Sequence, residues 1–209
     1  MIHTVKTALL AAALSLTGFV ATAQETTTAP VAAPVEVTDM SVGDPAAKVQ
    51  IIEYASFTCP HCATFHETAF KPLKAEYIDT GKVHFTLREV YFDRYGLWAA
   101  MMARCGGEMK YFGVADILFS TQKEWAASDD ANTVVANLKK IALTAGMDGA
   151  AVDACMKDGA NAQALVARFE SNMAADKVEG TPTFFVNGVK QSNLSYADLK
   201  ALIDTELAK

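Results

Sequence analysis

Cys59-Pro60-His61-Cys62 sets two thiols one helical turn apart, where a β-rich run gives way to a helical one. A C-x-x-C pair in that position is a redox arrangement. With Cys59 at the N-cap, Pro60 falls at the first helical position, where a missing N–H costs nothing. The free N–H groups of the first turn and the helix dipole then lie close to the Cys59 sulfur and favour its thiolate, so its pKa should be depressed. Cys62, one turn further in, should be more buried and more protonated. A disulfide between them closes a small strained ring whose opening releases a stabilised thiolate, which makes the pair a ready electron acceptor. His61 adds a donor beside Cys59 and, when protonated, a positive charge. Both favour the reduced state.

A metal reading of the same residues would use Cys59, Cys62 and His66, with His61 or His84 as a fourth ligand. A structural zinc site brings a second closely spaced ligand pair, and the sequence offers none. The redox reading is preferred, with neither metal nor cofactor expected.

The elements that must hold these residues are legible in outline. Val49 to Ala55 is β-rich and bounded by Asp44-Pro45 and Pro60, which predicts a strand. Phe65, Ala69, Leu73 and Tyr77 keep a four-residue step, predicting a helix from Pro60 to about Asp79, kinked at Pro72 and ended by Thr80-Gly81. Residues 82–90 alternate, with Val83, Phe85 and Leu87 on one face. Strand, helix and strand at these lengths form a βαβ unit with a parallel pair. The next ~85 residues contain no good strand and five helical stretches, around Leu97–Cys105, Phe112–Phe119, Asn132–Ala145, Asp148–Lys157 and Leu165–Met173. Thr183–Val186 is again a strand. Asn187-Gly188 is a strong hairpin signal, and Ser195 with Asp198 caps a last helix to about Leu207. A helical insertion inside a small α/β domain fits this order better than two sequential domains.

The stretch Glu53-Tyr54-Ala55-Ser56-Phe57-Thr58-Cys59-Pro60-His61-Cys62, with Thr181-Pro182-Thr183-Phe184-Phe185-Val186-Asn187-Gly188, resembles the DsbA family of periplasmic thiol:disulfide oxidoreductases. The likeness covers about residues 39–209. It implies an α/β, thioredoxin-like fold, from residues 39–92 and 178–209, with an inserted all-helical domain at 93–177. It also implies that Cys59 exchanges with substrate, Cys62 resolves and Pro182 is cis. Pro182 has no N–H and suits a strand start. A cis bond there would turn groups of Thr181 toward the sulfurs and leave an edge for an extended substrate. Glu53 interrupts an apolar strand face. The family has an acid there that exchanges a proton with the inner cysteine, and burial would raise its pKa. Phe57 is a candidate rim residue for an apolar substrate patch. With one pair local, Cys105 and Cys155 remain, and a bridge between them would close a loop of about 51 residues, worth up to roughly 4 kcal/mol.

Residues 1–23 read as a cleaved signal peptide: His3 and Lys6, an apolar run from Ala8 to Val20, then Ala21-Thr22-Ala23. The run is shorter than a spanning helix needs. Export places the protein in the oxidising periplasm, where disulfides persist. Residues 24–38, with Pro30 and Pro34, predict a flexible tether. The net charge of −6 becomes −7 once the single Lys of residues 1–23 is removed. An acidic chain without a basic cluster excludes nucleic acid as a natural partner. The expected activity is a monomeric oxidase that inserts disulfides into unfolded, reduced exported proteins. The resemblance implies reoxidation by a DsbB-like, quinone-linked membrane protein. A reductase or isomerase on the same fold, a client-restricted oxidoreductase and a metal-binding protein are the alternatives.

Overall fold

The computed structural model describes Met1–Ile2 and residues 35–209. Nearly all of the expected signal peptide, and the expected tether up to residue 34, lie outside the described residues. Five strands form one sheet in the order β1-β3-β2-β4-β5. β2 (Val49–Ala55) and β3 (Val83–Glu89) are the parallel pair, with Ile51 opposite Phe85 and Glu53 opposite Leu87. β4 (Thr183–Val186) runs antiparallel to β2, and β5 (Val189–Gln191) antiparallel to β4. The two-residue turn between them takes positive φ at both Asn187 and Gly188, as a tight hairpin requires.

β1 (Met40–Val42) pairs antiparallel with the outer edge of β3. Its three residues are too few for a periodicity to show in sequence. Immediately before it, the Thr38 carbonyl accepts a bond of 3.0 Å from Arg104, so the end of the expected tether is held against the fold.

The helix expected over 60–79 is composite. α1 (Pro60–Phe65) and α2 (Lys71–Leu73) alternate with π turns at His66–Phe70 and Lys74–Ile78. Pro72 cannot donate to the carbonyl four residues back, and the widened turn before it absorbs that missing bond. Phe65, Ala69, Leu73 and Tyr77 remain buried on one side.

The segment between β3 and β4 is helical among its described residues. It comprises α3 (Arg94–Cys105), α4 (Glu108–Ser120), α5 (Gln122–Trp125), α6 (Ala131–Thr144), α7 (Gly149–Cys155) and α8 (Gly159–Ala175). Aspartates cap four of these, Asp93, Asp130, Asp148 and Asp158 each accepting from first-turn N–H groups. α5 is a single turn that periodicity does not reveal. The fold is thioredoxin-like, mixed α and β, with a helical insertion.

The insertion is fastened to the sheet by a buried ion pair. Arg104 of α3 donates to Glu89 at the end of β3 at 2.8 and 2.5 Å, and the Tyr111 hydroxyl of α4 donates to the same carboxylate at 2.7 Å. Each partner leaves the other satisfied; removing one would strand a charge. Cys105 and Cys155 are joined, their Cα atoms 5.9 Å apart, between the ends of α3 and α7. Tyr196–Ala208 forms α9, capped by Ser195, whose hydroxyl accepts from the Asp198 N–H.

Candidate active site

β2 delivers the chain to the site. After Ala55 a turn closes with the Cys59 N–H donating to the Ser56 carbonyl at 3.0 Å. Cys59 is extended, with φ −85° and ψ 119°, and is the N-cap of α1, with Pro60 following at the first helical position. Its carbonyl accepts from Ala63 N–H at 3.2 Å, the first bond of the helix. Pairing of Tyr54 with Thr183 brings the start of β4 to the end of β2. The residues just ahead of β4 therefore face the cysteine turn. The Thr181-Pro182 peptide is cis, and the Thr181 carbonyl oxygen lies 3.5 Å from Cys59 Sγ. Pro182 is buried.

The two thiols are free and unlike. Cys59 is half-buried, whereas Cys62 is 0% exposed. The Cys59 thiol is lowered to about 5, first by a hydrogen bond from Cys62, then by Thr181 and the backbone N–H groups of Cys62 and His61, against the opposing effect of burial. Burial pushes the Cys62 thiol far above its ordinary range, and the bond to Cys59 and the charge of Glu53 push it the same way. The His61 side chain and Pro60 are exposed. What His61 supplies to Cys59 here is its backbone N–H.

Glu53 lies fully buried beneath the pair and bonds to His66 Nε2 at 2.9 Å. Its second oxygen, Oε1, has no protein partner. His66, also buried, stacks on Phe119 with ring centres 3.9 Å apart. His66 is therefore committed to Glu53, and His84 on β3 bonds to Gln50 at 2.9 Å. Among the described residues, no group of three His, Cys, Asp or Glu side chains is gathered as a metal ion would require.

Phe57 departs from its expected place. It is 1% exposed and packs against Phe119 at 4.9 Å between ring centres. A side chain so enclosed offers substrate no surface, so it belongs to the core and not to the rim. Among the described residues the large exposed aromatic is Phe92, 58% exposed, just before Asp93. Asp93 accepts a 2.6 Å bond from the Thr58 hydroxyl while capping α3. A further group invisible to motif reading is Gln122 of α5. Its side-chain nitrogen donates to the carbonyls of Phe57 at 2.8 Å and Cys59 at 3.0 Å.

The thioredoxin family profile matches residues 35–205. A Bacillus anthracis relative named for disulfide bond formation protein D is 30% identical over 187 residues, covering 82% of this chain and 80% of its own. The crystal structure of Wolbachia pipientis alpha-DsbA1 superposes with a TM-score of 0.75 at 28% identity, covering 81% of this chain and 91% of that one. The chain belongs to the DsbA family. A Rickettsia bellii relative, named for protein-disulfide oxidoreductase activity, is 35% identical over 167 residues and 79% of this chain. This DsbA-family chain spans 60–64% of the length of the Rickettsia relatives it matches. Among the described residues no helix is long and apolar enough to cross a membrane.

Proposed function

We propose that the chain is a thiol:disulfide oxidase acting on unfolded exported proteins, with Cys59 as the exchanging cysteine and Cys62 as the resolving one. The observation that carries this reading is the asymmetry of the pair. Cys59 is accessible and favours its thiolate, and Cys62 is enclosed and favours its thiol. A substrate thiolate attacks Cys59 Sγ in the Cys59–Cys62 disulfide, forming a mixed disulfide while Cys62 leaves as a thiolate and takes a proton. Glu53, whose Oε1 is unpartnered, is the group through which that proton passes. A second substrate thiolate attacks the substrate sulfur of the mixed disulfide and releases Cys59 as its thiolate. The substrate loses two electrons, which reside in the reduced pair. They leave with a DsbB-like, quinone-linked membrane partner.

Substrate lies extended along the edge at Thr181-Pro182, where the Thr181 carbonyl is beside the reacting sulfur, and apolar side chains rest near Phe92. Residues 1–23 direct export to the periplasm, and the protein acts as a monomer.

The deciding experiment compares denaturant melts of the oxidised and reduced protein. A thiolate stabilised in the folded state makes the reduced form the more stable one, and the stability difference is the oxidising power. A more stable oxidised form would overturn the oxidase reading in favour of a reductase.

A further inference from the structure

The redox turn receives support from outside the thioredoxin-like half. Gln122 is 7% exposed and begins α5. A carboxamide nitrogen carries two N–H donors, and here the two carbonyls it reaches flank the nucleophile's own backbone: Phe57 O and Cys59 O. Phe57 is enclosed, so its carbonyl has poor access to water and needs a protein donor. α5 itself is firmly placed. Trp125, at its end, is buried and donates from Nε1 to the Leu118 carbonyl at 2.8 Å. From the other side Asp93 holds Thr58 at 2.6 Å. Gly96 approaches so closely that a Cβ would stand 3.3 Å from both the Ser56 and Thr58 hydroxyls. The turn 56–59 is thus gripped by two pieces of the insertion.

We propose that Gln122 is a positioning residue for the redox pair, its amide holding the Cys59 backbone in the extended N-cap conformation that aims Sγ at the helix N-terminus. The inference rests on Cys59 being the exchanging cysteine. In the reduced protein no covalent bond restrains Cys59, and its thiolate gains from first-turn N–H groups only while the backbone stays in that conformation. In the oxidised protein the Cys59–Cys62 ring itself restrains the backbone. Gln122 therefore stabilises the reduced form more than the oxidised form, and so raises the oxidising power. It also satisfies the buried Phe57 carbonyl and gives the Cys59 carbonyl a second donor beside the Ala63 N–H.

The test uses the whole chain with Gln122→Ala, Gln122→Met and Gln122→Glu. Three quantities are read: the equilibrium of the Cys59–Cys62 pair with glutathione, the Cys59 titration by thiolate absorbance, and the melts of both redox forms. Gln122→Ala and Gln122→Met should each make the pair about tenfold less oxidising, which is ~30 mV for two electrons. The Cys59 titration should move upward, and the reduced form should lose more stability than the oxidised one. Gln122→Glu keeps the length, cannot donate when ionised and adds a like charge, so its shift should be the largest. Equal losses of stability in both redox forms, with unchanged glutathione equilibrium and Cys59 titration, would overturn the proposal and leave Gln122 a packing residue. Should Gln122→Ala not fold, the near-isosteric Met and Glu variants carry the same comparison. A wild-type protein more stable when oxidised would sink the oxidase reading separately, because the shift caused by Gln122 is measured against that wild type.

Discussion

The chain holds two cysteine pairs, and helices present opposite ends to them. Cys59 is the N-cap of α1 and Cys62 lies in its first turn. Cys105 and Cys155 are the last residues of α3 and α7. A helix start offers unpaired N–H groups, and a helix end offers unpaired carbonyls. The sulfurs of Cys105 and Cys155 lie 3.0 and 3.8 Å from the Met101 carbonyl oxygen. A thiolate is favoured at the first place and disfavoured at the second. Since a disulfide yields to reduction more readily when the thiolate it releases is stable, the first pair should open readily and the second should resist. The difference lies in the direction of the backbone around each sulfur.

The sharpest way to break this comparison is to remove one sulfur of the reactive pair. Cys62→Ala leaves Cys59 able to attack but without an internal resolving thiol. Mixed disulfides with client proteins should accumulate through Cys59 and show on non-reducing gels. Cys59→Ala should trap essentially none, because Cys62 is enclosed. Equal trapping by both variants would reverse the assignment of the two cysteines.

Graded reduction tests the contrast between the pairs directly. In the fully oxidised protein, a mild dithiol should open Cys59–Cys62 at least about tenfold more readily than Cys105–Cys155. Mass mapping after alkylation reads which cysteines have been freed. Simultaneous opening of both would show that the helix ends do not separate them.

Removing the resistant pair should cost stability and little else. Cys105→Ala with Cys155→Ala removes a link across a sequence separation of 50. The expected loss is about 2–4 kcal/mol in denaturant melts. The glutathione equilibrium of Cys59–Cys62 should change by less than about threefold, or ~15 mV. A larger change would mean that the bridge helps hold the redox turn.

A pH dependence tests the reactive pair through its thiolate. The folded protein lowers the Cys59 thiol from its ordinary value near 9 to about 5. Between those values the unfolded reduced chain binds a proton that the folded one does not, so folding stability rises with pH. The contribution is complete above pH about 9, shrinks as pH falls, and is lost below about 5. The oxidised protein has no such thiol to titrate. The melting difference between reduced and oxidised forms should therefore narrow steadily from pH 9 to 5. A difference constant across that range would remove thiolate stabilisation as its source.

Much of this site is local, and local features can be read from sequence. Pro60 after Cys59 marks the first turn of a helix, and Asn187-Gly188 marks a hairpin whose φ angles few other pairs adopt. Val83, Phe85 and Leu87 alternate because one face of β3 is enclosed. Phe57 could not be placed the same way. An aromatic residue beside a motif suits a rim or a core equally well, and only the packing of Phe119 across it decides for the core. His66 offered itself as a ligand by spacing, yet its partner is Glu53, 13 positions earlier.

The sequence by itself therefore determined the placement of Cys59 and Cys62 at a helix start, the unlike surroundings of their sulfurs, and the alternation of sheet and insertion. These depend on neighbours within a turn or a strand. The tertiary structure alone decided that Gln122, 63 residues from Cys59, reaches its carbonyl. It also decided that Glu89 meets Arg104 and Tyr111, and that Glu53 meets His66. Such contacts join residues far apart in the chain, and no periodicity records them. They form because buried donors and acceptors must find partners once the surrounding apolar surfaces have closed and water has left.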